Sequence, residues 1–121
     1  MTKKLFTADL FSRLDSETII HIVPASEDQV LYSARINGGR WLINDAYYIE
    51  EVKPYLRPLE SMTEEEEKEF IDLAFRIDLK DDNAIIEQVD WLIAHHFDFR
   101  GLIEEGLAIA VTPENNPYEN R

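Results

Sequence analysis

The sequence predicts an α+β fold: a single domain in which a small, mainly antiparallel sheet is covered by two helices. Three observations carry that expectation. The first half holds short alternating apolar stretches broken by turn residues, "VLYSARINGGRWLI" being the clearest. The next segment switches to a helical period behind a capping signature, "SMTEEEEKEF". A last apolar stretch, "LAIAVTP", returns to strand alternation. The domain is expected over residues 1–112, with residues 113–121, "PENNPYENR", as a flexible C-terminal tail.

Taken in order, "TADLFSRL" reads as a short helix capped by Thr7, with Leu10, Phe11 and Leu14 on one face. "TIIHIV" is apolar on both faces, as a central strand is, and Pro24 ends it. In the hairpin, Val30, Tyr32, Ala34 and Ile36 point one way, while Ser33 and Arg35 point the other. A turn at Gly38–Gly39 pairs Ile36 with Trp41 and Ala34 with Ile43. A turn at Asn37–Gly38 sets Arg35 against Arg40, and that like-charge opposition favours the first register. Residues 44–53 fit either a strand or a short helix capped by Asp45. "KPYLRPL" reads as an extended connector, because Pro54 and Pro58 each push the preceding residue out of the helical region.

The first long helix starts at Thr63, with Glu66 completing a capping box and the glutamate run facing the positive end of the dipole. Phe70, Leu73, Ala74 and Ile77 form its apolar face, widened by Ile71 and Phe75. A second helix follows the Asp81–Asp82 turn, either residue serving as cap. It carries Ile85, Val89, Leu92 and His96 in one stripe, Ile86, Ile93 and Phe97 beside it, and a stop at Gly101.

The 25 acids against 12 bases give a net charge of −13, and its distribution is uneven. Residues 63–90 hold 11 acids and 3 bases, a local −8, against −2 for residues 1–62 and −3 for residues 91–121. No basic stripe exists to neutralise phosphates, so direct nucleic-acid binding is not expected. An acidic helical face instead suits solvation or a basic protein partner. No cysteine occurs, which removes thiolate metal sites and disulfides. No apolar run approaches the roughly 18 residues of a membrane span, and polar residues interrupt the start. A cytoplasmic protein outside the membrane is the expectation.

The stretch with most chemistry per residue is "HHFDFRG". His95, His96, Asp98 and Arg100 are its candidate binding residues. A helical metal site wants histidines at i and i+4, whereas adjacent ones point about 100° apart. In a last helical turn, protonated histidines and an arginine also suit the free carbonyls. A helix end is therefore the expected reading, with no metal, cofactor or catalytic residue assigned. The remaining histidine, His21, sits among isoleucines as a core residue with a satisfied hydrogen bond, unless the fold brings it to His96. Asp45 with Glu51 and Lys53 mimics a two-acid, one-lysine nuclease pattern, but six residues hardly let the acids reach adjacent strands.

Three stretches, "YSARINGGRWLI", "IEEVKPYLRPLESMTEEEEKEF" and "WLIAHHFDFRGLIEEGLAIA", resemble small uncharacterised proteins of Bacteroides-type gut bacteria and of their prophages and mobile elements. The resemblance spans residues 17 to 112. It implies an origin in a mobile element and carries no functional residue over to this chain. The function class expected is a non-enzymatic accessory or interaction protein. A small metal-dependent hydrolase or nuclease, its residues converging only in three dimensions, is the alternative.

Overall fold

Helix α1 (Lys3–Ser12) comes first, its cap five residues before the expected Thr7. Thr2 is its N-cap and accepts from the Leu5 amide, while the Thr7 hydroxyl donates to the Lys3 carbonyl. This is a computed structural model, and it describes residues 2–79 and 82–119. Strands β1 (Ile19–Ile22), β2 (Glu27–Val30), β6 (Val52–Leu56) and β7 (Ile109–Ala110) form one sheet in the order β2-β1-β6-β7. Strands β3 (Ala34–Asn37), β4 (Arg40–Ile43) and β5 (Tyr47–Tyr48) form a second. All pairings are antiparallel except β6 with β7. The α+β expectation holds, with two small sheets in place of one.

Alternation explains the run "IIHI". Ile20 and Ile22, with Val52 and Leu56 of β6, join the main core of Phe6, Leu10, Leu31, Ile43, Ile49 and Leu102. Ile19 and Tyr55 face the other way into a second cluster with Val111, Ile109 and Tyr118. The central-strand expectation for β1 is met. The single long strand expected from Val30 to Ile36 is not. The chain breaks at residues 31–33, where Asn44 stitches the two sheets. Its side-chain oxygen accepts from the Tyr32 amide at 2.9 Å, and its nitrogen donates to the Val30 carbonyl at 2.9 Å. The hairpin keeps the register set by Gly38–Gly39, with Ile36 opposite Trp41 and Ala34 opposite Ile43. Both glycines sit at positive φ, 61° and 79°. Ile36 nevertheless stays exposed.

Residues 44–53 are neither alternative alone: β5, a 3-10 turn over Ile49–Glu51 and the start of β6 follow one another. The connector reading of "KPYLRPL" is overturned, since β6 is an inner strand. Pro54 is tolerated there for a geometric reason. The Val23 amide donates to the Glu51 carbonyl, so alternation makes Ile20–Pro54 a non-hydrogen-bonded pair. The ring nitrogen therefore faces away from β1, one residue before β7 begins to pair at Tyr55.

Helices α2 (Glu64–Asp78) and α3 (Ala84–Ala94) form an antiparallel hairpin. The capping box is complete: Thr63 accepts from the Glu66 amide and Glu66 accepts from the Thr63 amide. Arg76–Glu87 at 2.6 Å and Trp91 Nε1 donating to Glu69 at 2.7 Å tie the helices together. Asn83 occupies the N-cap of α3 in place of the aspartates; Asp81 lies outside the described residues. The expected apolar faces are only partly used. Leu73, Leu92 and Ile93 are buried, while Ile71, Phe75, Leu79, Ile85 and Ile86 are exposed.

Candidate functional site

Helix α3 stops at Ala94 through its own backbone, seven residues before Gly101. His95 is the C-cap. His96 takes φ 63°, its amide donates to the Ile93 carbonyl, and the Phe97 amide donates to the Leu92 carbonyl. That pair of bonds is a Schellman closure with histidine where glycine is usual. Gly101, also left-handed at φ 77°, serves the next turn.

The chain then runs beside β6. The Arg57 amide donates to the His96 carbonyl at 2.8 Å, and the Asp98 amide donates to the Arg57 carbonyl at 2.9 Å. This threads Phe97, with no exposed surface, into the interior. Over its ring lies the Arg57 guanidinium at 4.2 Å, which grips Glu66 with two bonds of 2.6 and 2.8 Å. Those bonds, with the Thr63 amide, hold the Glu66 carboxyl down at about 2 despite its partial burial.

Each candidate side chain has an internal task. His95 stacks on Trp91 at 4.2 Å, and its Nδ1 lies 2.8 Å from the Trp91 carbonyl. His96 stacks on Tyr118 at 4.1 Å, its Nδ1 3.4 Å from the Thr18 hydroxyl. Burial first, then the charges of Arg13, Arg57 and His95, lowers its pKa to about 4, so it is neutral at physiological pH. Asp98 accepts from the Leu102 and Ile103 amides, both at 2.9 Å, and so caps the turn after it. Arg100 reaches Asp9, Nε to Oδ1 3.2 Å, an ion pair whose N–H is not aligned as a hydrogen bond.

Asp9 is the partner that sequence reasoning missed. It is fully buried and held at 2.9 and 3.2 Å by Arg13, also fully buried, which donates onward to the Phe97 carbonyl. Arg13 and Arg100 lie 5.4 and 4.9 Å from the Phe99 ring centre. The i,i+4 spacing of Asp9 and Arg13 was the available signal; their burial was not legible, because charged pairs on a short helix normally face water. Segment 113–121, expected as a flexible tail, contributes Tyr118. Its hydroxyl donates to the Tyr55 carbonyl at 2.7 Å and accepts from the Ile19 amide at 3.1 Å.

The other candidates do not converge here. His21 pairs with Asp28 at 2.8 Å across β1–β2 and meets Tyr55 edge-on, a different set of partners from those of His96. Asp45 binds Arg35, Glu51 ends the 3-10 turn, and Lys53 sits opposite His21 on β6. Among the described residues no three His, Asp or Glu side chains are grouped to hold a metal ion. A cleft of about 490 Å³ borders the segment, lined by Pro58, Glu60, Asp98, Phe99 and Glu104. Both oxygens of Asp98 are taken by amides.

The hairpin differs. Glu64, Glu65 and Glu67 are exposed in the first turn of α2, whereas Glu66 turns inward to Arg57, and Glu69, itself exposed, accepts from Trp91. Beyond them Ile71, Phe75 and Leu79 make a solvent-facing stripe. No described helix is long and apolar enough to cross a membrane. The chain matches no protein-family model, and it matches no curated protein and no solved structure.

Proposed function

We propose that this chain is a non-enzymatic interaction protein that works through the α2–α3 hairpin, the exposed glutamates at the start of α2 facing a basic protein partner. One observation carries the reading: the polar groups of the candidate site are spent on internal contacts, while the hairpin directs free carboxylates and apolar side chains outward. The sequence resemblance supports its setting as an accessory protein of a phage or other mobile element. Capture of partners from the host at low ionic strength tests it. A salt-sensitive partner should be retained by the native chain and lost when Glu64, Glu65 and Glu67 become lysine. Equivalent reversal of Glu104 and Glu105, exposed elsewhere, should leave capture intact. Equal capture by both variants, or metal-dependent hydrolysis of nucleic acid by the native chain, would overturn the proposal.

A further inference from the structure

We infer that the cleft between the start of α1 and the 3-10 turn before β6 binds an amphipathic anion, a short apolar chain ending in a carboxylate, with Lys3 taking the carboxylate. The inference does not involve the α2–α3 hairpin and stands apart from the reading above.

The cleft holds about 340 Å³, within the roughly 300–1,000 Å³ of small-molecule sites. Its lining is mainly apolar. Phe6, Ile49 and Val52 belong to the main core, and the half-buried Leu107 packs against it. These walls are fixed by the fold itself. Lys3, Glu50 and Lys53 also line the cleft, and the Lys3–Glu50 ion pair links the helix start to the turn. A neighbouring cleft of about 500 Å³ shares Lys3 and adds Lys4 and Arg40.

Charge argues for an anion. The two clefts are lined by four bases, Lys3, Lys4, Arg40 and Lys53, and by one acid, Glu50. The whole chain has 25 acids to 12 bases, so the sign is locally reversed. Helix α1 adds to the field. It has no acid in its first turn and begins with two lysines at the positive end of its dipole, where a base is unfavourable. A local conflict of this kind is expected where a site makes use of it. Among the described residues no carboxylate forms an ion pair with Lys4, Arg40 or Lys53.

Glu50 shows what Lys3 accepts at this place. Its bond to Lys3, then a backbone hydrogen bond, and the charge of Arg40 hold the Glu50 carboxyl below the usual carboxylate range. Both partners are well exposed, 64% and 48%, and such pairs contribute little to stability. A ligand carboxylate can therefore take the place of Glu50 on Lys3, with its chain lying along Phe6, Ile49, Val52 and Leu107.

Calorimetric titration of the full chain with sodium decanoate, below its micelle-forming concentration, tests this. One saturable site with a dissociation constant under about 1 mM is expected. Octanoate and hexanoate should bind progressively more weakly, by about two- to fourfold for each methylene lost. Decyltrimethylammonium should bind more weakly than decanoate, although the net charge of −13 favours the cation elsewhere on the surface. Lys3→Gln should weaken decanoate binding about fivefold or more. Glu50→Gln should tighten it, and Lys68→Gln on α2 should leave it unchanged, all three with an unaltered circular dichroism spectrum. Amide shifts at residues 2–7, 49–53 and 107 should mark the place. No saturable binding by 1 mM or so, equal binding of cation and anion, or indifference to Lys3→Gln would overturn the proposal. So would weaker binding by Glu50→Gln, or shifts centred on the exposed apolar residues of α2 and α3.

Discussion

The segment around residues 95–101 and the far end of the α2–α3 hairpin use their side chains in opposite ways. The first is rich in charge and turns nearly all of it inward: Asp9 sits between Arg13 and Arg100, Glu66 under Arg57, and Asp98 on two amides. The second is rich in isoleucine, phenylalanine and leucine and leaves five of them facing water. Polar residues thus hold the interior together while apolar residues mark the surface. The lesson is that residue chemistry alone does not locate a binding face; what counts is whether the group still has capacity to bind.

The contrast can be broken most sharply at Asp9. Asp9→Ala leaves two guanidiniums, one fully buried, without their shared counter-charge. Removing one partner of a buried pair typically costs about 3–5 kcal/mol, so the urea midpoint should collapse. Changing Arg13 to Met in the same chain should recover part of that loss. A fall below about 1 kcal/mol in Asp9→Ala would mean that the cluster is solvated.

His96 sharpens the comparison further. His96→Ala should cost about 2 kcal/mol through lost stacking and packing on Tyr118, while keeping a strained left-handed residue. His96→Gly relaxes that strain and should be less damaging by about 1 kcal/mol. His95→Ala should cost about 1 kcal/mol by losing the Trp91 stack, more than a solvent-facing histidine would. Equal losses for alanine and glycine at position 96 would contradict the Schellman role.

The two groups also set opposite ends of an acid profile. His96 in the fold holds no proton until about pH 4, whereas the unfolded chain takes one near 6.5. Stability therefore falls as pH drops from about 6.5 to 4, and His96→Ala should flatten that limb. The Glu66 carboxyl, normally near 4.5, stays ionised down to about 2, so its contribution is complete above 4.5 and disappears between 4.5 and 2. Arg57→Met should remove this second limb. Denaturant midpoints taken between pH 2 and 8 decide both.

The smallest effect is expected at the exposed acids: Glu65→Lys should shift stability by less than about 0.5 kcal/mol, whereas Glu69→Lys should cost more because Trp91 donates to it. Equal shifts would mean that the Trp91–Glu69 hydrogen bond adds nothing to stability.

How much of this was legible varied with the range of the interaction. The capping box at Thr63, the Gly38–Gly39 register and the α+β class all depend on residues within a few positions of one another. The helix end at His95–His96 was legible in kind, but its position was not, because a left-handed histidine is stabilised by Tyr118 and by the β6 backbone at Arg57. Pro54 in an inner strand failed the usual rule, since its tolerance depends on which side β7 approaches and where it starts. That Asp9, Arg13, Arg57 and Tyr118 are partners of the candidate site was not legible for the same reason: each meets the segment across a long loop of chain.

The lateness of β7 and Tyr118 has a consequence for synthesis. During translation β2, β1 and β6 are complete long before residues 109–118 emerge, so the free edge of β6 waits without its parallel neighbour and the Ile19 amide without its phenol. An open strand edge is an invitation to pair with another nascent chain. Chains stalled or cleaved before residue 109 should therefore be the ones that aggregate, and a C-terminal fusion that hinders Tyr118 should lower soluble yield more than the same fusion at the N-terminus.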